Sequence, residues 1–207
     1  MNPMSKLLKN RWALSTVVTT LIILVISVLL ASVVTYFAIN VVSTRVQEES
    51  LHLTKQHLWH NPTATPGAAD YSQASLMVVN TGGRDIVIDK LAVRGQESPW
   101  NDVATGKFVV YKITTDPIAS DLSFATTFTA AGGSGNTLTI GGDSIAFTVA
   151  ENDLVLPSGC TMLLYIINPD SITINDIGLT VSITLYTAQA MYYREANVQA
   201  YSPIGSS

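Results

Sequence analysis

Residues 12–44 read WALSTVVTTLIILVISVLLASVVTYFAINVVST, a run of 33 residues without a single charge. Leu, Ile, Val and Ala dominate it, and neither Gly nor Pro interrupts it. At a rise of 1.5 Å per residue such a run makes a helix of about 50 Å, against a hydrocarbon core of about 30 Å. It is too long for the h-region of a secretory signal, and no A-x-A-like site closes it, so the segment is expected to be retained. Within it Thr16, Thr20, Ser27, Ala31, Thr35 and Ala38 fall in a sector of about 100° at 100° per residue, with Leu24 among them. Small side chains let helix backbones approach closely, which makes this stripe a candidate helix-packing surface. The competing reading is a lone helix in lipid, whose Ser and Thr hydroxyls bond their own carbonyls.

Charge is distributed unevenly around this run. Lys6, Lys9 and Arg11 precede it, whereas residues 14–207 carry 8 basic against 15 acidic groups. A basic tip, an apolar run and an acidic remainder fit a chain whose N-terminus stays in the cytoplasm while the rest is exported. The acidic remainder offers no basic face for phosphates, which argues against nucleic-acid binding. Of 207 residues 47% are hydrophobic and 13% charged, with a mean hydropathy of +0.32. The part beyond the run is large enough for one globular domain with its own core. Cys160 is the single cysteine, so no intramolecular disulfide forms; ahead of the apolar run Met162 to Ile167, it reads as a small core residue.

The helical pattern is expected to continue past the apolar run. Arg45 to Trp59 places Val46, Leu51, Leu53, Leu58 and Trp59 among polar residues, and Pro62 is the first helix breaker. One helix over residues 14–60 follows, then a linker over 61–69 (NPTATPG and its neighbours) and a head over 70–207. The head reads as strands throughout. Thr81-Gly82-Gly83 is expected to join Ser75–Val79 and Asp85–Val93 as a hairpin, and the phase change from Ile86 and Ile88 to Leu91 and Val93 places a bulge near Asp89. Further strands are expected over Phe108–Ile113, Leu122–Thr129 and Thr137–Ile140, the last turned back by Gly141-Gly142 into Ile145–Val149. Met162–Ile167 reads as a central strand, Leu179–Tyr186 as a half-buried one, and Met191–Tyr201 as the last. The fold class is therefore α+β: a long N-terminal helix followed by an antiparallel, Ig-like β-sandwich of about nine strands.

Motifs for chemistry are missing. No G-x-S-x-G, H-E-x-x-H, P-loop, G-x-G-x-x-G or C-x-x-C is present, and the Gly-rich Ala130–Asn136 joins strands instead of opening a helix. His52, His57 and His60 lie within nine residues, with His57 and His60 one helical turn apart, but no carboxylate or cysteine at matching spacing completes a metal site. Asp143, Glu151, Asp153, Asp170 and Asp176 are loop carboxylates without a calcium-binding repeat. The sequence thus implies no catalytic residue, cofactor or metal, and a non-enzymatic protein.

The run from Arg11 to Val42 resembles the N-terminal segment of archaeal type IV pilins, which belong with the archaellins to a superfamily carrying class III signal peptides; the resemblance spans about residues 9–60. It implies removal of a leader, residues 1–13, by a prepilin peptidase that reads Arg11 and cuts between Ala13 and Leu14. Trp12 stands between Arg11 and Ala13, where the family places a basic residue next to the small one. Val18 occupies the fifth mature position, where bacterial pilins carry glutamate and archaeal members commonly do not. The resemblance further implies a homopolymer held by a bundle of helices, built by pilus assembly machinery from subunits first inserted in the membrane. Its place would be an extracellular filament at the archaeal cell surface, serving adhesion or cell–cell contact. Two rivals stand beside it: an archaellin of a motility filament, and a monomeric membrane-anchored β-sandwich that binds a partner.

Overall fold

The computed structural model describes residues 11–46, 48–116, 118–131 and 135–201. They divide into two compact units, the first ending at Val46. The first unit is one helix, α1 (Arg11–Val46). The second contains thirteen strands in chain order: β1 (Leu51–His60), β2 (Ser72–Asn80), β3 (Ile86–Val93), β4 (Gln96–Ser98), β5 (Asn101–Asp102), β6 (Lys107–Thr114), β7 (Thr137–Ile140), β8 (Asp143–Ala146), β9 (Thr148–Val149), β10 (Leu154–Leu156), β11 (Thr161–Ile167), β12 (Thr180–Thr187) and β13 (Met191–Ala200). A single 3-10 turn, Ile174–Asp176, lies between β11 and β12.

The helix therefore stops about fourteen residues before the expected end at His60, and residues 51–60 are a strand of the head. The spacing of apolar residues explains the error. Leu51, Leu53 and Leu58 all enter one core cluster, yet the last two are five positions apart, an odd interval that a regular strand cannot bury on one face. A bulge between Thr54 and His57 supplies the missing step, with Lys55 at a φ of 53°. Pro62 is a breaker as expected, but of a strand. The expected linker 61–69 is the connection of the β1–β2 hairpin, pinned by Asn61 N donating to Tyr71 O at 2.8 Å.

Eleven strands form one sheet with the path β10-β3-β12-β13-β1-β2-β11-β6-β5; β4 also pairs with β3 and β9 with β6, while β7 and β8 form a separate hairpin. Neighbours are antiparallel except β1 and β13, which run parallel from Leu58↔Val198 to His60↔Ala200. The sheet is mixed, which corrects the purely antiparallel arrangement expected above. It curls, so that Leu76, Val78, Met162 and Leu164 from β2 and β11 share a cluster with Ile88, Leu91, Ile183 and Leu185 from β3 and β12. The opposite face of β2, β6 and β11 is buried as well. There Phe108, Leu163 and Tyr165 pack beneath Leu122, Ala125, Phe128 and Phe147. Two-sided cover accounts for the unbroken apolar run of β11, all seven residues of which are buried.

Two other expectations change. Residues 81–83 do not turn a hairpin, because β2 pairs with β1 and β11 while β3 pairs with β12. Gly82 is needed instead for close approach: a Cβ there would stand 2.7 Å from Glu48 O and 2.9 Å from Ser50 N, where the chain enters β1. Leu122–Thr129 is not a strand. Its buried residues, Leu122, Ala125 and Phe128, recur every three positions, and side chains replace a ladder: the Gln73 amide donates to Ala125 O and accepts from Ala125 N, and Tyr165 Oη donates to Ser123 O. The bulge at Asp89 is present, since Tyr186 pairs with Lys90 and Thr187 with Ile88. The Gly141-Gly142 hairpin is present too, with both glycines at positive φ.

Candidate functional site

The most unusual surface of the chain is α1. Every residue from Ser15 to Thr44 is exposed, and this stretch is long and apolar enough to cross a membrane. A helix of this kind fits either a membrane anchor or a signal sequence. All six stripe residues, Thr16, Thr20, Ser27, Ala31, Thr35 and Ala38, lie on it and are exposed. Hydroxyls of the stripe fold back onto the helix: Thr20 Oγ1 donates to Val17 O at 2.9 Å, Ser27 Oγ to Ile23 O at 2.7 Å, and Thr35 Oγ1 to Ala31 O at 2.8 Å. Thr19, Ser32 and Thr44, outside the stripe, do the same. These six hydroxyls are thus satisfied within the helix, as a dry environment demands. Of the expected processing residues, Arg11, Ala13 and Leu14 lie within α1, and the leader before Arg11 falls outside the described residues.

In the head the three histidines are brought to different places. His52 is exposed. His57 Nε2 meets Asp121 Oδ1 at 2.9 Å and its ring stacks on Trp59, 5.0 Å between centroids. The His57 hydrogen bond, above all, holds the Asp121 carboxyl below its ordinary range. His60 is buried, its ring edge-on to Tyr71 at 4.7 Å. No three His, Cys, Asp or Glu side chains converge among the described residues. Asp170 pairs with Lys107 at 2.6 Å and Asp176 with Arg94 at 2.7 Å, which commits two of the five loop carboxylates to structure. Cys160 is half-buried against the first core cluster. The Gly-rich loop is closed by Asn136, whose amide bonds both N and O of Thr129; residues 132–134 within it lie outside the described residues. A cleft of about 440 Å³ is lined by the charged Lys112, Asp116 and Asp143 and the apolar Ile118, Ile140 and Ile145.

No family model matches this chain, and no curated protein matches it.

Two features of the head escaped the sequence reading. One is the pair of hooks set by the β1 bulge: Lys55 Nζ donates to Ile118 O and Ser120 O, and His57 holds Asp121, so both grip the same irregular segment. In the sequence the only sign of the bulge is the odd apolar interval from Leu53 to Leu58. The other is a buried polar group at the far end of β1, made by His60, Ser72, Asn168 and Asp176, with the exposed Arg94 paired to Asp176 from outside. Burial would raise the Asp176 carboxyl, but hydrogen bonds from Thr173 and Arg94 outweigh it and hold the group below its ordinary range. These residues are scattered from 60 to 176, and no local pattern joins them.

Proposed function

We propose that this chain is a structural subunit of an archaeal extracellular type IV pilus-like filament that polymerises through α1, for surface adhesion or cell–cell contact. The observation that carries this reading is the helix: 30 exposed residues from Ser15 to Thr44, without a charge and with six hydroxyls bonded back to the helix's own carbonyls. Such a surface requires hydrocarbon or other helices around it. At about 45 Å it exceeds the roughly 30 Å that spanning a bilayer needs. Membrane insertion before assembly uses part of that length, and a helix bundle uses all of it. The small-residue stripe supplies the face for close approach, and the curled β unit serves as a sandwich-like head. A prepilin peptidase cutting between Ala13 and Leu14 would release the helix for transfer.

The test is Ala31→Leu, compared with Val33→Leu on the opposite side of the helix. Overpacking where helix backbones touch costs about 1–3 kcal/mol per site, repeated in every subunit. Leucine facing lipid costs nothing. Electron microscopy of sheared surface material should show filaments lost in Ala31→Leu and kept in Val33→Leu, with both proteins still in the membrane fraction. A monomeric anchored β domain is the second reading, and the back-bonded hydroxyls suit it equally. Normal filaments in Ala31→Leu cells would exclude packing through the stripe, and no filaments in the parent strain would favour the anchor.

A further inference from the structure

His60 and Ser72 face each other across the β1–β2 ladder, and each is only 1% exposed. His60 Nδ1 and Ser72 Oγ are both buried without a hydrogen-bond partner in the protein. An imidazole nitrogen and a hydroxyl normally find partners inside proteins, so a pair of orphans on one cross-strand rung is a costly arrangement. The rung also has a special location. His60 is the last registered residue of the parallel pairing with β13, opposite Ala200, and its carbonyl accepts from Tyr201 N at 2.8 Å. That parallel seam joins β13, β12, β3 and β10 to the rest of the curled sheet.

We propose that the buried His60–Ser72 rung is an acid-labile point of the β1–β13 seam, intact while His60 is neutral and loosened when it takes a proton. Of the charged groups at this end of the head only Asp176 attracts the imidazolium, and its oxygens are already engaged. Asp176, on the 3-10 turn, has Oδ1 engaged by Arg94, at the end of β3, and Oδ2 by the backbone and hydroxyl of Thr173, each at 2.8 Å. Asp70, in the β1–β2 connection, accepts from Asn61. Tyr71 and Tyr201 are the ionisable aromatic residues beside the ring and its carbonyl. Burial therefore dominates over the attraction of Asp176 and pulls the His60 pKa below its ordinary 6.5.

The sign follows. Well above pH 6.5 the imidazole is neutral in the folded and unfolded chain alike, and protonation takes nothing from the seam's stability. As the pH falls below 6.5 the unfolded chain takes the proton first, and the unfolded-to-folded ratio rises by up to about tenfold per pH unit. The loss continues down to the folded pKa and then levels off. Neither the acid-labile rung nor its test involves filament assembly.

The experiment uses the full chain in detergent micelles, with imidazole nitrogens followed by NMR and thermal melts of the β signal between pH 7.5 and 5. His60 should titrate below 6.5, and the melting temperature should fall across that interval. His60→Gln, neutral at every pH, should flatten the fall, whereas His57→Gln should keep it. A His60 that titrates at or above 6.5 overturns the proposal, as does a His60→Gln protein that loses stability with acid as steeply as the parent. If His60→Gln does not fold, the titration of His60 in the parent decides alone.

Discussion

Two unbroken apolar runs in this chain meet opposite fates. In α1 every residue from Ser15 to Thr44 is exposed, and in β11 every residue from Thr161 to Ile167 is buried. The backbone is the reason they can differ. A helix closes its hydrogen bonds within itself, so its side chains alone choose the surroundings, and any apolar medium suffices. A strand has no such freedom. β11 needs β2 on one side and β6 on the other for its ladder, and cover on both faces for its side chains. Hydrophobic content alone therefore does not separate a segment that builds the protein's interior from one that awaits a partner. The covered segment is defined by its neighbours.

The largest effect should come from removing a neighbour. β1 lies between β2 and β13 and contributes Leu51, Leu53 and Leu58 to one core cluster and Trp59 to the other. Burying each such side chain is worth about 1.5–3 kcal/mol, and a domain of this size is stable by only about 5–15 kcal/mol. A fragment starting at Glu48 should fold and melt cooperatively by circular dichroism. A fragment starting at Asp70, the boundary that the sequence alone suggested, should show no cooperative transition. A cooperative melt of the shorter fragment would show that β11 keeps its cover without β1.

Single truncations sharpen the same contrast on a smaller scale. Leu164 of β11 is 1% exposed within the first core cluster, and Leu30 of α1 is 64% exposed. Leu164→Ala should lower head stability by about 2–5 kcal/mol, the usual cost of a buried leucine, read as a lower midpoint in a denaturant melt of the β signal. Leu30→Ala should leave that midpoint unchanged.

The parts of the head that were legible in the sequence are those whose pattern is local. Val181, Ile183 and Leu185 alternate with polar residues and are buried as alternation requires. The bulge at Asp89 was visible because Ile86, Ile88, Leu91 and Val93 change phase by one residue. Gly141-Gly142 announces a two-residue turn by its conformational freedom. The illegible parts depend on distant residues. The interval of seven from Leu51 to Leu58 fits a helix as well as a bulged strand, and the burial of β1 between β2 and β13 decides between them. Leu122 to Thr129 alternates in sequence, but the Gln73 amide captures Ala125 and sets a spacing of three. The parallel pairing of β1 with β13 joins residues some 140 positions apart and leaves no trace in either strand. For the candidate site, the exposed apolar helix was legible from composition, whereas the His60 group was not.

The smallest effects should separate a buried clamp from an exposed one on the same irregular segment. Gln73 is fully buried and engages both backbone groups of Ala125, so Gln73→Leu leaves a buried donor and acceptor unpaired, at a cost of about 1–3 kcal/mol. Asp121, three residues before Phe124, holds His57 with a side chain that is 66% exposed. Solvent and salt screen such a pair, and Asp121→Asn should cost no more than about 1 kcal/mol. Its pH dependence has a fixed direction. The Asp121 carboxyl is held below 3.8, chiefly by the hydrogen bond from His57, so its contribution is complete above that pH and fades as the pH falls through the lower folded value. Melts of Asp121→Asn and the parent should therefore differ slightly at pH 6 and converge below pH 3.8. Should Asp121→Asn prove as costly as Gln73→Leu, the segment is held from its outer surface, and the buried amide is not its principal anchor.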